Sequence, residues 1–121
     1  MENYAMTKTY ININGDVREA SSLKIPSDRT FRAAWQYNEN VIEINMTKAK
    51  EIHRDNLRAE RQPRLEALDV DYMKALEAGS GADAIAAKKK TLRDIIADAR
   101  IDNAADADAL KALDLATLLG E

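Results

Sequence analysis

The sequence predicts an α+β fold, with a small N-terminal antiparallel sheet followed by a helical hairpin and a short closing helix. Three observations carry this. Apolar residues alternate with period two in "YINI" and "VIEI". From Thr47 onward they recur at steps of three and four, the spacing of one helix face. Turn-forming residues, "NG", "NEN" and "GSG", sit between these runs. The implied organisation is a β-rich subdomain over residues 1–46 and a helical hairpin with a C-terminal helix over 47–121, together one compact domain.

In "KTYINING", Thr9, Ile11 and Ile13 fall on one side of an extended chain and Tyr10, Asn12 and Asn14 on the other. Asn14-Gly15 tolerates positive φ, so a two-residue hairpin turn is predicted, with "DVREA" as the returning strand. Pro26 has no N–H for a ladder and ends any strand through Leu23 and Ile25. Ser27 or Asp28 is then expected to cap a short helix with Phe31, Ala34 and Trp35 on one face. One further strand, Val41 to Asn45, completes the sheet, with Ile42 and Ile44 turned the same way.

Thr47 is the expected cap of a long helix whose stripe runs through His53, Leu57, Arg61, Leu65, Leu68, Tyr72 and Leu76. Pro63 removes one backbone hydrogen bond and crowds the carbonyl of Ala59, at a cost of about 3 kcal/mol. The stripe keeps its phase across Pro63, which predicts one bent helix of about thirty residues rather than two. After Gly79-Ser80-Gly81, the residues Ile85, Leu92, Ile95 and Ile96 form a second helical stripe. The short connection makes the two helices antiparallel. Asn103 or Asp106 can cap a last short helix through Leu110 and Leu113, and a further turn can start from Asp114. No internal repeat stands out, and the alanine–aspartate bias reads as compositional, consistent with a loosely held tail.

The 121 residues suffice for one modest core, but aromatic residues supply only 5% and much of the apolar count is alanine, which buries little area per residue. Stability borrowed from a partner or from self-association is therefore expected. The net charge of −3 is evenly spread. Residues 1–45 hold five basic and six acidic side chains, 46–78 seven of each, and 79–121 six and eight. A nucleic-acid footprint would need a basic face, so nucleic acid is not the expected partner. No cysteine is present for a disulfide, a thiolate metal site or a nucleophile. No run is long and apolar enough for a membrane span, and the polar N-terminal residues do not read as a signal peptide.

Candidate chemistry is sparse. His53 is the single histidine, without the HxxxH or HExxH spacing that metal ligation on a helix requires. Asp69 and Asp71 are two apart and diverge by about 200° around a helix, which argues against a shared proton. Lys88-Lys89-Lys90 spreads around more than half a helix and reads as a solvated face. No catalytic residue, metal or cofactor is expected. Arg54, Arg58, Arg61 and Arg64, interleaved with Asp55 and Glu60, form either a salt-bridged exposed face or a contact surface for an acidic protein. Phe31, Trp35 and Tyr37 are either core or interface anchors.

The run from Asp28 to Ile96 resembles small proteins encoded among the tail genes of tailed bacteriophages, in particular tail assembly chaperone-like domains. The matching positions are Arg54, Arg58, Leu65, Leu68 and Asp69 on the first helix, then Leu92, Arg93 and Asp94 on the second. Val70, where that resemblance implies an aromatic, and Gly-Ser-Gly, where it implies a proline-rich linker, depart from it. The resemblance implies a non-enzymatic protein that recognises a tail or tail-fibre protein in the host cytoplasm during assembly. The alternatives are a small structural component of the virion, at the tail tip, a fibre joint or the capsid exterior, and a phage inhibitor of a host protein. Partner binding is then expected at Phe31, Trp35, Tyr37, Arg54, Arg58, Arg61, Leu65, Leu68 and Tyr72, with a homo-oligomer as a further possibility.

Overall fold

The computed structural model describes residues 9–121. The fold is α+β: four short strands, then a long helix and further helices. The chain divides into two compact units, Met1–Ala49 and Lys50–Glu121, with the boundary inside the first turn of the long helix.

In the first unit, β1 (Tyr10–Ile13) pairs antiparallel with β2 (Asp16–Glu19). Asn14 and Gly15 both carry positive φ, 53° and 89°, the conformation that the two-residue turn demands. The Asn12 side chain accepts the Gly15 N–H at 2.9 Å and closes the turn. Where one further strand was expected, the chain makes a second hairpin. Strand β3 (Trp35–Asn38) pairs with β4 (Val41–Ile44) across Glu39-Asn40.

Trp35 thus opens a strand rather than closing a helix, and only a 3-10 turn, Arg32–Ala34, precedes it. Asp28 does act as a local cap, accepting from the Thr30 N–H and hydroxyl at 2.9 and 2.6 Å. The reason for the strand is alternation. Trp35 lies opposite Ile44 and Tyr37 opposite Ile42, which puts apolar pairs on one face. Gln36 lies opposite Glu43 on the other, donating to its carboxylate at 2.8 Å. The core of this unit is Ile11, Trp35 and Ile42, flanked by Ile13, Leu23, Ile25 and Ile44. Leu23 and Ile25 belong to no strand, but Lys24 bridges to Val41 through paired backbone bonds of 2.8 Å, to Asn40 and from Ile42.

Helix α1 (Met46–Ala78) is continuous for 33 residues through Pro63. Its cap is Asn45 rather than Thr47: the Asn45 side chain accepts the Lys48 N–H at 3.1 Å, leaving Thr47 in the first turn. Gly79-Ser80-Gly81 leads into α2 (Ala82–Asp94), and Gly81 at φ 88° makes the tight entry. The chain continues through a 3-10 turn, Ile95–Ala97, and three short helices: α3 (Ala99–Asp102), α4 (Ala107–Lys111) and α5 (Leu115–Leu119).

This C-terminal segment is packed rather than loose. Asp98, Asp106 and Asp114 each begin a helical turn and accept a backbone N–H within it, from Arg100, Ala109 and Thr117. These caps stand eight residues apart. The aspartates at that spacing are structural punctuation, and Ile101, Leu110, Leu115 and Leu118, each in a turn that one of them opens, are buried. Asn103, the other candidate cap, instead ends α3.

Candidate functional site: an apolar groove in the helical unit

Helix α1 supplies the site's framework, and its buried stripe changes character along its length. His53 and Leu57 are buried, Arg61, Leu65, Leu68 and Tyr72 are half-buried, and Leu76 is exposed. The expected stripe therefore turns at its end, where Ala75 is buried in place of Leu76. Ala75 lies beside the hairpin turn, where a Cβ on Gly81 would be in ordinary contact with its Cβ at 3.9 Å.

The arginines divide into two kinds. Arg54 donates to the Ile96 carbonyl at 3.2 Å and pairs with Asp102. Arg61 donates to the Leu92 and Arg93 carbonyls at 3.2 and 2.8 Å, groups at the end of α2 that a helix leaves unpaired. These two hold the helical unit together. Arg58 is exposed and pairs with Asp55 one turn away. Arg64 pairs with Glu121 at 2.8 Å, and that partner carboxylate holds its guanidinium above the usual range.

The antiparallel pairing of α1 and α2 is fixed further along by Lys89. It forms an ion pair with Asp69 and sits 5.1 Å from the centre of the Tyr72 ring. Tyr72 is thereby occupied within the chain. So are the aromatics of the first unit. Phe31 and Trp35 are buried, 1% and 4% exposed. The Tyr37 hydroxyl lies between the Ile11 and Asp16 carbonyls, 2.9 and 2.8 Å away, and Arg18 stacks on its ring at 3.8 Å. Trp35 carries the one buried side-chain polar atom without a partner among the described residues, its indole N–H.

Of the nine residues expected to bind a partner, Leu68 lines an open groove of about 470 Å³ in the helical unit. Ala67 and Leu68 of α1, Leu92 of α2 and Leu119 of α5 give it apolar walls, with Arg64, Lys88, Thr91 and Glu121 around them. Lys88 is exposed and, among the described residues, has no hydrogen-bond or ion-pair partner, unlike Lys89 and Lys90. Lys88 and Leu119 were not among the residues expected to bind a partner. Lys88 was hidden in a three-lysine run whose members face different ways, and Leu119 reaches the groove only through the folding of the C-terminal turns.

No group of three His, Cys, Asp or Glu side chains that could hold a metal ion occurs among the described residues. His53 Nε2 donates to the Leu113 carbonyl at 2.7 Å, an anchoring bond for the C-terminal segment. No helix of the described residues is long and apolar enough to cross a membrane. Comparison with protein-family models, curated proteins and solved structures finds no match.

Proposed function

We propose that this chain is a non-enzymatic recognition protein that acts in the assembly of a bacteriophage tail or tail fibre, holding a subunit in the manner of a chaperone. The groove between α1, α2 and α5 carries the reading: its walls are apolar, it is open, and it bears an uncommitted lysine. A groove of this kind receives the apolar face of a helix from another chain, side chains providing affinity and the rim charge providing orientation. The assignment to a phage tail comes from the resemblance of residues 28–96, and the groove supplies the means by which such a protein would work. Arg54 and Arg61 are engaged within the chain, whereas Arg64 of the same face lines the groove.

The test is co-expression with tail and fibre subunits of a phage that encodes the chain, followed by mass spectrometry of purified particles. An assembly chaperone keeps one subunit soluble, is captured with it before assembly, and is absent from mature particles. Leu68→Asp, placed in the groove wall, should abolish capture. Retention in particles at fixed stoichiometry would instead establish the second reading, a structural component of the virion. No effect on any subunit and absence from particles would defeat both.

A further inference from the structure

The groove is electrically lopsided along its length. Arg61 meets the carbonyls of Leu92 and Arg93, and Lys89 meets Asp69 and Tyr72, so residue numbers rise along α1 as they fall along α2. Arg64 therefore stands toward the end of α2, where its ion pair with Glu121 makes that end of the groove neutral. Lys88 stands toward the hairpin turn, one helical turn and about 6 Å along the axis from Leu92. Asp69 and Asp94, carboxylates of the same two helices, are taken by Lys89 and Lys90. The side chains lining the groove thus include two cations and one carboxylate, and the unbalanced positive charge is that of Lys88.

We infer that the segment received by the groove is an acidic amphipathic helix, its apolar side chains on Leu68, Leu92 and Leu119 and a carboxylate paired with Lys88. This rests on the groove being the client site and adds the chemistry of the client. Charge complementarity selects it. A basic segment would meet Lys88 as a like charge, and the one side-chain carboxylate of the groove is committed to Arg64. A wholly apolar segment would cover the Lys88 ammonium without returning a counter-charge. Because the Arg64 end is neutral and the Lys88 end is not, a single carboxylate also fixes which way the helix lies. Lys88 is exposed, so the pair forms at the rim, in contact with water. It contributes selectivity and a salt-sensitive rate of encounter, while the apolar walls supply most of the affinity.

Fluorescence anisotropy with two synthetic peptides tests it. The peptides share one stripe of leucines at helical spacing, flanked by glutamates in one and by lysines in the other. The wild-type chain should bind the glutamate peptide about tenfold tighter, and added salt should narrow the gap. Lys88→Glu, at an exposed position, turns the excess charge of the lining from positive to negative and should reverse the preference. Lys88→Arg should keep it. Ala67→Trp, at another exposed position of the wall, obstructs the groove and should weaken both peptides alike. Circular dichroism verifies the helix content of each variant. Equal affinity of the wild type for the two peptides, or a preference that Lys88→Glu leaves unchanged, would overturn the acidic client and leave the groove as the docking site. Binding of neither peptide, or binding that Ala67→Trp does not weaken, would remove the groove as a receptor for helices, and both readings would fall together.

Discussion

His53 Nε2 meets the carbonyl of Leu113 across sixty residues of sequence, and both the ring's burial and the bond's direction follow from that contact. A carbonyl can only accept, so Nε2 carries the proton. Removing the ring leaves both a cavity and a carbonyl without its donor. His53→Ala should therefore cost about 1–3 kcal/mol, read from urea unfolding followed by circular dichroism. His53→Gln retains an N–H donor and should recover part of the loss. Equal stability of His53→Ala and wild type would remove His53 from its anchoring role. Arg61 works in the same way from one turn pair further along, by supplying donors to the end of α2.

Among the elements, α1 and the capped C-terminal turns show opposite ways of handling backbone groups. Pro63 lies inside α1, yet both Pro63 and Ala59, whose carbonyl it cannot serve, are exposed. Water can reach that turn, so the helix continues through the proline. The short helices α3, α4 and α5 have too few internal bonds to persist alone, and their aspartate caps supply part of the difference. Arg100, through its guanidinium and its backbone N–H, holds the Asp98 carboxyl below the usual carboxylate range. The Thr117 backbone N–H does the same for Asp114. Both groups bind protons less tightly in the folded chain than in the unfolded one. Their contribution to stability is thus complete above the ordinary carboxylate pKa and is lost as pH falls through the lowered folded values. Asp98→Asn with Asp114→Asn, which keeps a capping oxygen without titrating, should flatten the acid limb of melting temperature against pH. An unchanged limb would show that other carboxylates govern it.

At the level of the whole molecule, the half-buried middle of α1 distinguishes packing from display. Leu65 and Leu68 are on the face turned to the rest of the helical unit, whereas Met73 is exposed. Leu65→Asp with Leu68→Asp should lower stability by about 3 kcal/mol or more, or unfold the chain, because it places two charges where apolar contacts were made. A melting temperature and partner capture equal to those of wild type would show that these leucines do not form the packed face.

Local patterning made much of this architecture readable in advance. Ile11 and Ile13 against Asn14-Gly15 specify the first hairpin, and the unbroken phase from His53 to Tyr72 specifies one helix through Pro63. Those signals act between neighbours in sequence, through pleat, helical turn and turn geometry. Trp35 was expected on a short helix because its spacing from Phe31 and Ala34 fits one; its alternation with Tyr37 fits a strand as well, and cross-strand pairing with Ile44 decides for the strand.

The groove lay beyond such reading. Its walls come from residues 67 and 68, 92 and 119, and its free cation is one lysine of three whose neighbours are taken by Asp69 and Asp94. The sequence alone determined the first hairpin, the strand at Val41–Ile44 and the long helix through Pro63, with the apolar face that each presents over most of its length. Which apolar face is covered and which is left open was decided only by tertiary structure, because burial depends on what the rest of the chain brings against a face, and no periodicity encodes that.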